Sequence, residues 1–171
     1  MIQTLDKFVK DLKDPAITET FDQAPFSKRL DLSPAKADLV KKAEAVMAKS
    51  PKFKSLSGKK KEMLESAFYL AWDCLDEGHE IISNIGDLEA SYLHCVMHRV
   101  EGDLPNASYW YRRSIACDLH DELPNLVSNL VPTAAVFNDP VEYGKMEAKM
   151  GAEYKKVRQY EFALYLKEIF K

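Results

Sequence analysis

Leu64, Phe68, Ala71, Trp72, Leu75 and Ile82 recur every three or four positions, and His79 falls on the same stripe. That spacing defines one face of an α-helix. Nowhere does the chain alternate convincingly with the period of two that a half-buried strand requires. Parallel sheets, sandwiches and barrels are thereby set aside, and the expected fold class is all-α. At 171 residues the chain suits one domain with a core of its own. The expectation is a single-domain bundle of about seven helices. Residues 1–55 supply N-terminal helices and an extended arm, and residues 56–171 supply the helical core.

Proline, glycine and capping residues divide the chain. Ile2, Leu5, Phe8, Val9 and Leu12 make a short amphipathic helix over 2–12. From Asp14 to Leu32 the period lapses, and Pro15 and Pro25 predict an extended connection. Ser33-Pro34 pairs an N-cap with a first-turn proline, opening a helix that turns Leu39, Val40, Ala43, Val46 and Met47 inward and stops at Ser50-Pro51. Ser57-Gly58 opens the longest helix, about 59–85. Gly78 lies inside it at a cost of about 1 kcal/mol relative to Ala, which makes a break there plausible. Gly86 ends it and Asp87 caps the next, 88–101. Gly102 turns the chain into a helix over 105–117, opened by Asp103 and Pro105. A less regular segment follows over 118–132. Asn138-Asp139-Pro140 starts a final helical run, interrupted at Gly151.

Ala90, Cys95, Gly102, Ala107, Tyr111 and Ser114 place small residues and an aromatic where a tetratricopeptide-like helical hairpin has them. Such arrays repeat every 34 residues or so. No two further copies are found, so one hairpin of that type is expected and not a solenoid.

A net charge of −3 offers no general attraction for nucleic acid or anionic lipid, and neither is expected as a partner. Lys59-Lys60-Lys61 is the only basic run and should face water. Cys74, Cys95 and Cys117 are odd in number and scattered, which favours reduced thiols over a disulfide framework. Charge enters by Asp6 and Lys7, unlike a signal core. The most apolar stretch, Met63 to Leu75, is interrupted by Glu65 and Asp73 and too short for a bilayer. A cytoplasmic protein without a membrane role is expected.

The chemistry concentrates in residues 91–113. His94 and His98 are four apart, so both imidazoles leave one helix face, and Glu101 continues that stripe. The metalloprotease pattern needs Glu directly after the first His, and here Cys95 follows. A third metal ligand would come from His79, on the inward face of the preceding helix. A divalent metal held by His79, His94 and His98 is the cofactor these residues suggest. His94, His98 and Glu101 are also the candidate acid–base residues. The plainer expectation is a buried His–Glu–Arg network that fixes helix packing, because buried histidines commonly satisfy themselves on carboxylates and carbonyls.

Arg99, Asp103, Tyr109, Arg112, Arg113 and Glu161 are the candidate ligand-binding residues. Arg112 or Arg113 could offer a fork to an anionic ligand. The favoured expectation is salt bridges from them to Glu101 or Asp103, locking the hairpin. Trp110 and Tyr111 are expected in the core, with Tyr109 the ambiguous aromatic. Arg158, Gln159 and Glu161, on the last helix, are expected to face solvent; if that helix packs on the hairpin, Gln159 or Glu161 could face the histidines.

The string Tyr92-x-His94-x-x-x-His98-Arg99-x-Glu101-Gly102-Asp103-x-x-Asn106-Ala107-x-Tyr109-Trp110-Tyr111-Arg112-Arg113 resembles the signature of an uncharacterised family of small all-helical proteins. His79-Glu80 upstream, Asp139-Pro140 and Gln159-Tyr160-Glu161-Phe162 match further family elements, so the resemblance spans about residues 60–170. It implies that His79, His94, His98, Glu101 and Glu161 form one cluster, and it supplies no activity. The chain departs from that pattern after Arg113: Cys117-Asp118-Leu119-His120-Asp121 stands where a His-Pro is expected, which sets His120 apart from the cluster.

Two functions are carried forward. The leading one is a helical interaction or scaffold module binding a protein or peptide. The second is a small hydrolase using a metal, or a His–Glu base, at His79, His94, His98 and Glu101. Oligomeric state is left open.

Overall fold

The computed structural model describes residues 5–27, 35–131 and 139–171. These residues form eleven helices and no strand. In chain order they are α1 Leu5–Leu12, α2 Pro15–Gln23, α3 Ala37–Met47, α4 Pro51–Ser55, α5 Gly58–Ala71, α6 Leu75–Ile82, α7 Leu88–Glu101, α8 Leu104–Ser114, α9 Leu119–Val127, α10 Pro140–Glu147 and α11 Glu153–Ile169. The fold is all-α. The count exceeds seven because expected single helices divide and an expected arm is helical. Ser33-Pro34 and Asn138 lie outside the described residues; α3 begins at Ala37 without a side-chain cap bond.

Residues 15–23 correct the extended connection. Pro15 occupies the first turn of α2, where its missing N–H costs nothing, and Asp14 is the cap. Asp14 Oδ1 accepts the N–H groups of Ala16 at 3.0 Å and Ile17 at 3.2 Å. Its Oδ2 accepts the Ser50 hydroxyl at 2.6 Å and the Lys52 N–H at 3.1 Å. Ser50 Oγ in turn accepts from Phe53 N–H at 2.9 Å. One carboxylate, 1% exposed, thus serves the N-termini of both α2 and α4.

The long helix expected over 59–85 breaks at Trp72–Cys74 and not at Gly78. Asp73 adopts a left-handed φ of 62°. The segment after α2 holds it there: Phe26 N–H donates to Ala71 O at 3.1 Å, and Ser27 gives both its N–H, at 2.9 Å, and its hydroxyl to the Asp73 carboxylate. Gly78 stays inside α6 because the helix lies close on its neighbours. A Cβ there would sit 3.0 Å from both Ser66 O and Met97 Cε. Ser66 Oγ donates to Gly78 O at 2.7 Å, which draws α6 onto α5 and sets His79 against α7.

α7 and α8 pack more extensively than any other helix pair. Gly102 joins them with φ at 90°, a conformation that favours glycine. Every residue of α7 from Ala90 to Val100 is buried, so this helix is the centre of the bundle. A single core cluster runs from Leu5 to Ile169 and includes α1, which packs on α11, α3, which packs on α5, and α2 between α1 and α3. Among the described residues no helix is long and apolar enough to cross a membrane. Cys74, Cys95 and Cys117 are buried free thiols, and burial pushes them up to about 12, 12 and 11.

Removing the double cap has a defined consequence. Asp14→Ala should lower unfolding stability by about 2–3 kcal/mol in urea titrations, since two helix starts and a buried hydroxyl lose their partner. Asp14→Asn should fall between the two.

Candidate metal centre

His79 reaches the centre because it shares a face of α6 with buried Leu75 and Ile82. His94 and His98 stand one turn apart on α7. The His79 ring lies edge-on to both, with centroids 4.8 Å from His94 and 5.2 Å from His98. The His94 and His98 rings are parallel, 5.7 Å apart. One ligand nitrogen from each of the three lies within 4.8 Å of the other two. His94 and His98 are buried while His79 is half-buried, as is Glu101, so solvent reaches the cluster from one side.

The hydrogen bonding around the rings is uneven. His98 Nδ1 lies 2.9 Å from Glu101 Oε2, the contact that orients an imidazole and fixes its tautomer. Ser83 Oγ lies 3.4 Å from His79 Nδ1, yet it also makes a 2.6 Å bond to the His79 carbonyl. His94 Nδ1 is buried with no hydrogen-bond partner. The indole of Trp110 stacks on the His94 ring at 4.0 Å and 10°. Burial, helped by His79 and His98, pushes His94 down to about 3, so its ring is neutral at neutral pH. Burial likewise lowers His79. Neutral imidazole is the form that binds metal.

His98, Glu101 and Asp103 form a second group within 4.8 Å. Asp103, however, is the cap of α8. Its Oδ1 accepts Asn106 N–H at 3.2 Å and its Oδ2 accepts Asn106 Nδ2 at 3.0 Å.

Among the described residues Glu161 hydrogen-bonds to Arg99, Arg158 and Tyr92 and to none of the histidines, which corrects the single cluster. Arg99 is buried, with Nε 2.7 Å from Glu147 Oε2 and Nη2 2.7 and 2.8 Å from the two oxygens of Glu161. Its guanidinium lies 3.8 Å over the Tyr143 ring. Glu161 also accepts from Arg158 and from Tyr92 Oη, the latter at 3.1 Å. Burial pushes both carboxylates up. At Glu161 the two arginines and these hydrogen bonds outweigh burial and hold it below the ordinary value. Glu147 takes a single Arg99 bond, its Oε1 has no hydrogen-bond partner, and it stays raised. Two arginines and two glutamates balance in formal charge within this buried network. Gln159 donates to Phe21 O at 2.7 Å and faces α2.

The arginines of α8 also depart from expectation. Ala107 and Ser114 are the buried residues of α8, which turns positions 112 and 113 away from α7. Among the described residues neither Arg112 nor Arg113 forms a salt bridge with Glu101 or Asp103. Arg113 instead lies over the Tyr109 and Trp110 rings, at 5.8 and 5.5 Å. Trp110 and Tyr111 are half-buried, and Tyr109 is 45% exposed. His120 is separate and buried, its Nε2 2.8 Å from Ser114 Oγ, between Tyr92 and Tyr111.

Glu147, the partner of Arg99, escaped the sequence reading. Its one signal is that it continues the buried face of Pro140 and Tyr143. No protein-family model matches the chain, and no curated protein or solved structure matches it either.

Two outcomes test this description. Glu161→Ala leaves two buried guanidinium groups short of a counter-charge and should cost about 3–5 kcal/mol, measured by urea unfolding. His120, held down to about 4 chiefly by burial and then by Arg99, is neutral when folded and takes a proton near pH 6.5 when unfolded. The unfolded chain thus binds more protons between pH 6.5 and 4, and stability falls as pH drops through that window. His120→Gln should remove about 1–2 kcal/mol of the loss between pH 7 and 5, seen as a flatter series of urea midpoints.

Proposed function

We propose that the protein binds a divalent metal ion through His79, His94 and His98 and uses it in a hydrolytic reaction on a small substrate. The observation that carries this reading is the convergence of three imidazoles from two helices, one of them buried with a ring nitrogen unpartnered. Three histidine ligands with a position left open describe catalytic zinc sites. Bound there, such an ion polarises an oxygen and lowers the pKa of its water to about 7. Glu101 would be the orienting carboxylate: its contact with His98 Nδ1 would hold that ring and leave its other nitrogen for an ion. The half-buried side at His79 and Glu101 gives substrate its approach.

Interaction with a protein or peptide is the second reading, favoured by Tyr109 and Ile115, which are 45% and 63% exposed on and just beyond α8. The 360 Å³ groove beside the hairpin is lined by Arg99, Val100, Gly102, Leu104, Gly144, Lys145, Glu147 and Ala148. Neither Tyr109 nor Arg113 is among them, which weakens a peptide groove built on those two.

Protein purified without an affinity tag and titrated with zinc should take up about one ion per chain. His79→Ala and His98→Ala should lose it. Glu101→Gln should weaken it about 10–100-fold, and His120→Ala should keep it. Cooperative unfolding of each variant shows that the fold survives. Absence of stoichiometric metal in the wild type, or its retention in His98→Ala, contradicts the metal reading and leaves the interaction module.

A further inference from the structure

The groove where the ends of α7 and α10 meet the start of α8 has a volume of 360 Å³, within the range of small-molecule sites. None of the three clustered histidines lines it. Its wall contains a polar group that is only half satisfied. Glu147 is 2% exposed, and its Oε2 accepts from Arg99 Nε at 2.7 Å. Its Oε1 has no hydrogen-bond partner among the described residues. Glu161, the other carboxylate of that network, accepts from Arg99, Arg158 and Tyr92. A buried carboxylate oxygen left unpaired costs stability, and burial accordingly pushes Glu147 up. Around this group the lining is largely apolar, with Val100 and Leu104 from the hairpin and Ala148 from the end of α10. Gly144 lets Leu104 lie against α10, since a Cβ there would collide with Leu104 Cδ2.

We propose that this groove is a second binding site, separate from the histidines, for a small neutral molecule with an apolar body and an O–H or N–H donor, an alcohol or a carboxamide, which donates to Glu147 Oε1. The site does not depend on the metal reading. Charge complementarity selects a neutral ligand. Arg99 and Lys145 line the same groove, and a cation entering it meets both. An anion meets Glu147. The two arginines and two glutamates of the network already balance, so a charged ligand adds a charge with no counterpart beside a buried wall. A neutral donor keeps that balance and gives Oε1 the bond it lacks. The apolar body covers Val100 and Leu104 and removes their groove-facing surface from water.

NMR titration with cyclohexanecarboxamide tests this. The carboxamide should shift the methyl resonances of Val100, Leu104 and Ala148. Methyl cyclohexanecarboxylate has the same ring and carbonyl without a donor, and it should bind about tenfold or more weakly. Cyclohexanecarboxylate and cyclohexylmethylamine should also bind more weakly than the carboxamide. In Glu147→Gln the amide oxygen goes to Arg99 and an N–H₂ donor replaces Oε1, so the carboxamide should lose its advantage over the ester. Ala148→Phe, at an exposed position outside the charged network, should fill the groove and abolish binding of both. His98→Ala should leave binding unchanged. Urea unfolding checks the fold of each variant; if Glu147→Gln does not fold, the carboxamide–ester comparison and Ala148→Phe decide. Equal binding of carboxamide and ester, an advantage that survives in folded Glu147→Gln, a preference for either ion, shifts confined to residues outside the groove, or no binding of the carboxamide overturns the proposal.

Discussion

Arg99 is the constraint around which the bundle is arranged. It sits on α7, a helix buried on every side from Ala90 to Val100, and a guanidinium cannot stay there without counter-charge. α10 and α11 must therefore present Glu147 and Glu161 at hydrogen-bond distance. That requirement sets the rotation of α7 about its axis. Arg99 points to the carboxylates, so His98, the preceding residue, and His94, one turn earlier, point toward α6. The close approach at Gly78 then brings His79 to meet them. The arginine–glutamate network and the histidine cluster share one helix and occupy different faces of it.

The two polar clusters differ in how well they are satisfied. Glu161 takes hydrogen bonds from Arg99, Arg158 and Tyr92, as expected of a group selected for stability. Among the histidines, His98 has Glu101, His79 has a distant serine already bonded to a carbonyl, and the buried His94 Nδ1 has no partner. A buried polar atom without a partner costs stability. In the proposed reading a cation drawn between these three rings supplies the partner that His94 lacks.

How much was legible in the sequence depended on whether the cause was local. The hairpin over 88–114 was readable because its signals are local: the 3.6-residue period, a glycine at the left-handed turn, an aspartate cap. The meeting of His79 with His94 and His98 was also readable, since all three lie on inward stripes joined by a short connection. The break at Trp72–Cys74 was not, because Asp73 is held by Ser27, 46 residues away. α2 was missed for a different reason: Asp14-Pro15 carries the cap-and-proline signal of Asp139-Pro140, but the lapse of apolar period outweighed it. The resemblance groups Glu161 with the histidines, and the helix pattern could not test that, since it shows which residues share a face and not which neighbour that face meets. The expected pairing of Arg112 and Arg113 with Glu101 and Asp103 failed because closeness in sequence across a turn does not overcome opposite orientation on α8.

X-ray absorption at the zinc edge of the metal-loaded protein tests the central claim most directly. A histidine centre gives about three imidazole nitrogen scatterers at about 2.0 Å plus about one oxygen, with the bound zinc and its imidazole multiple scattering lost in His98→Ala. A first shell made of oxygen alone, or a spectrum unchanged in that variant, would contradict a metal held by His79, His94 and His98.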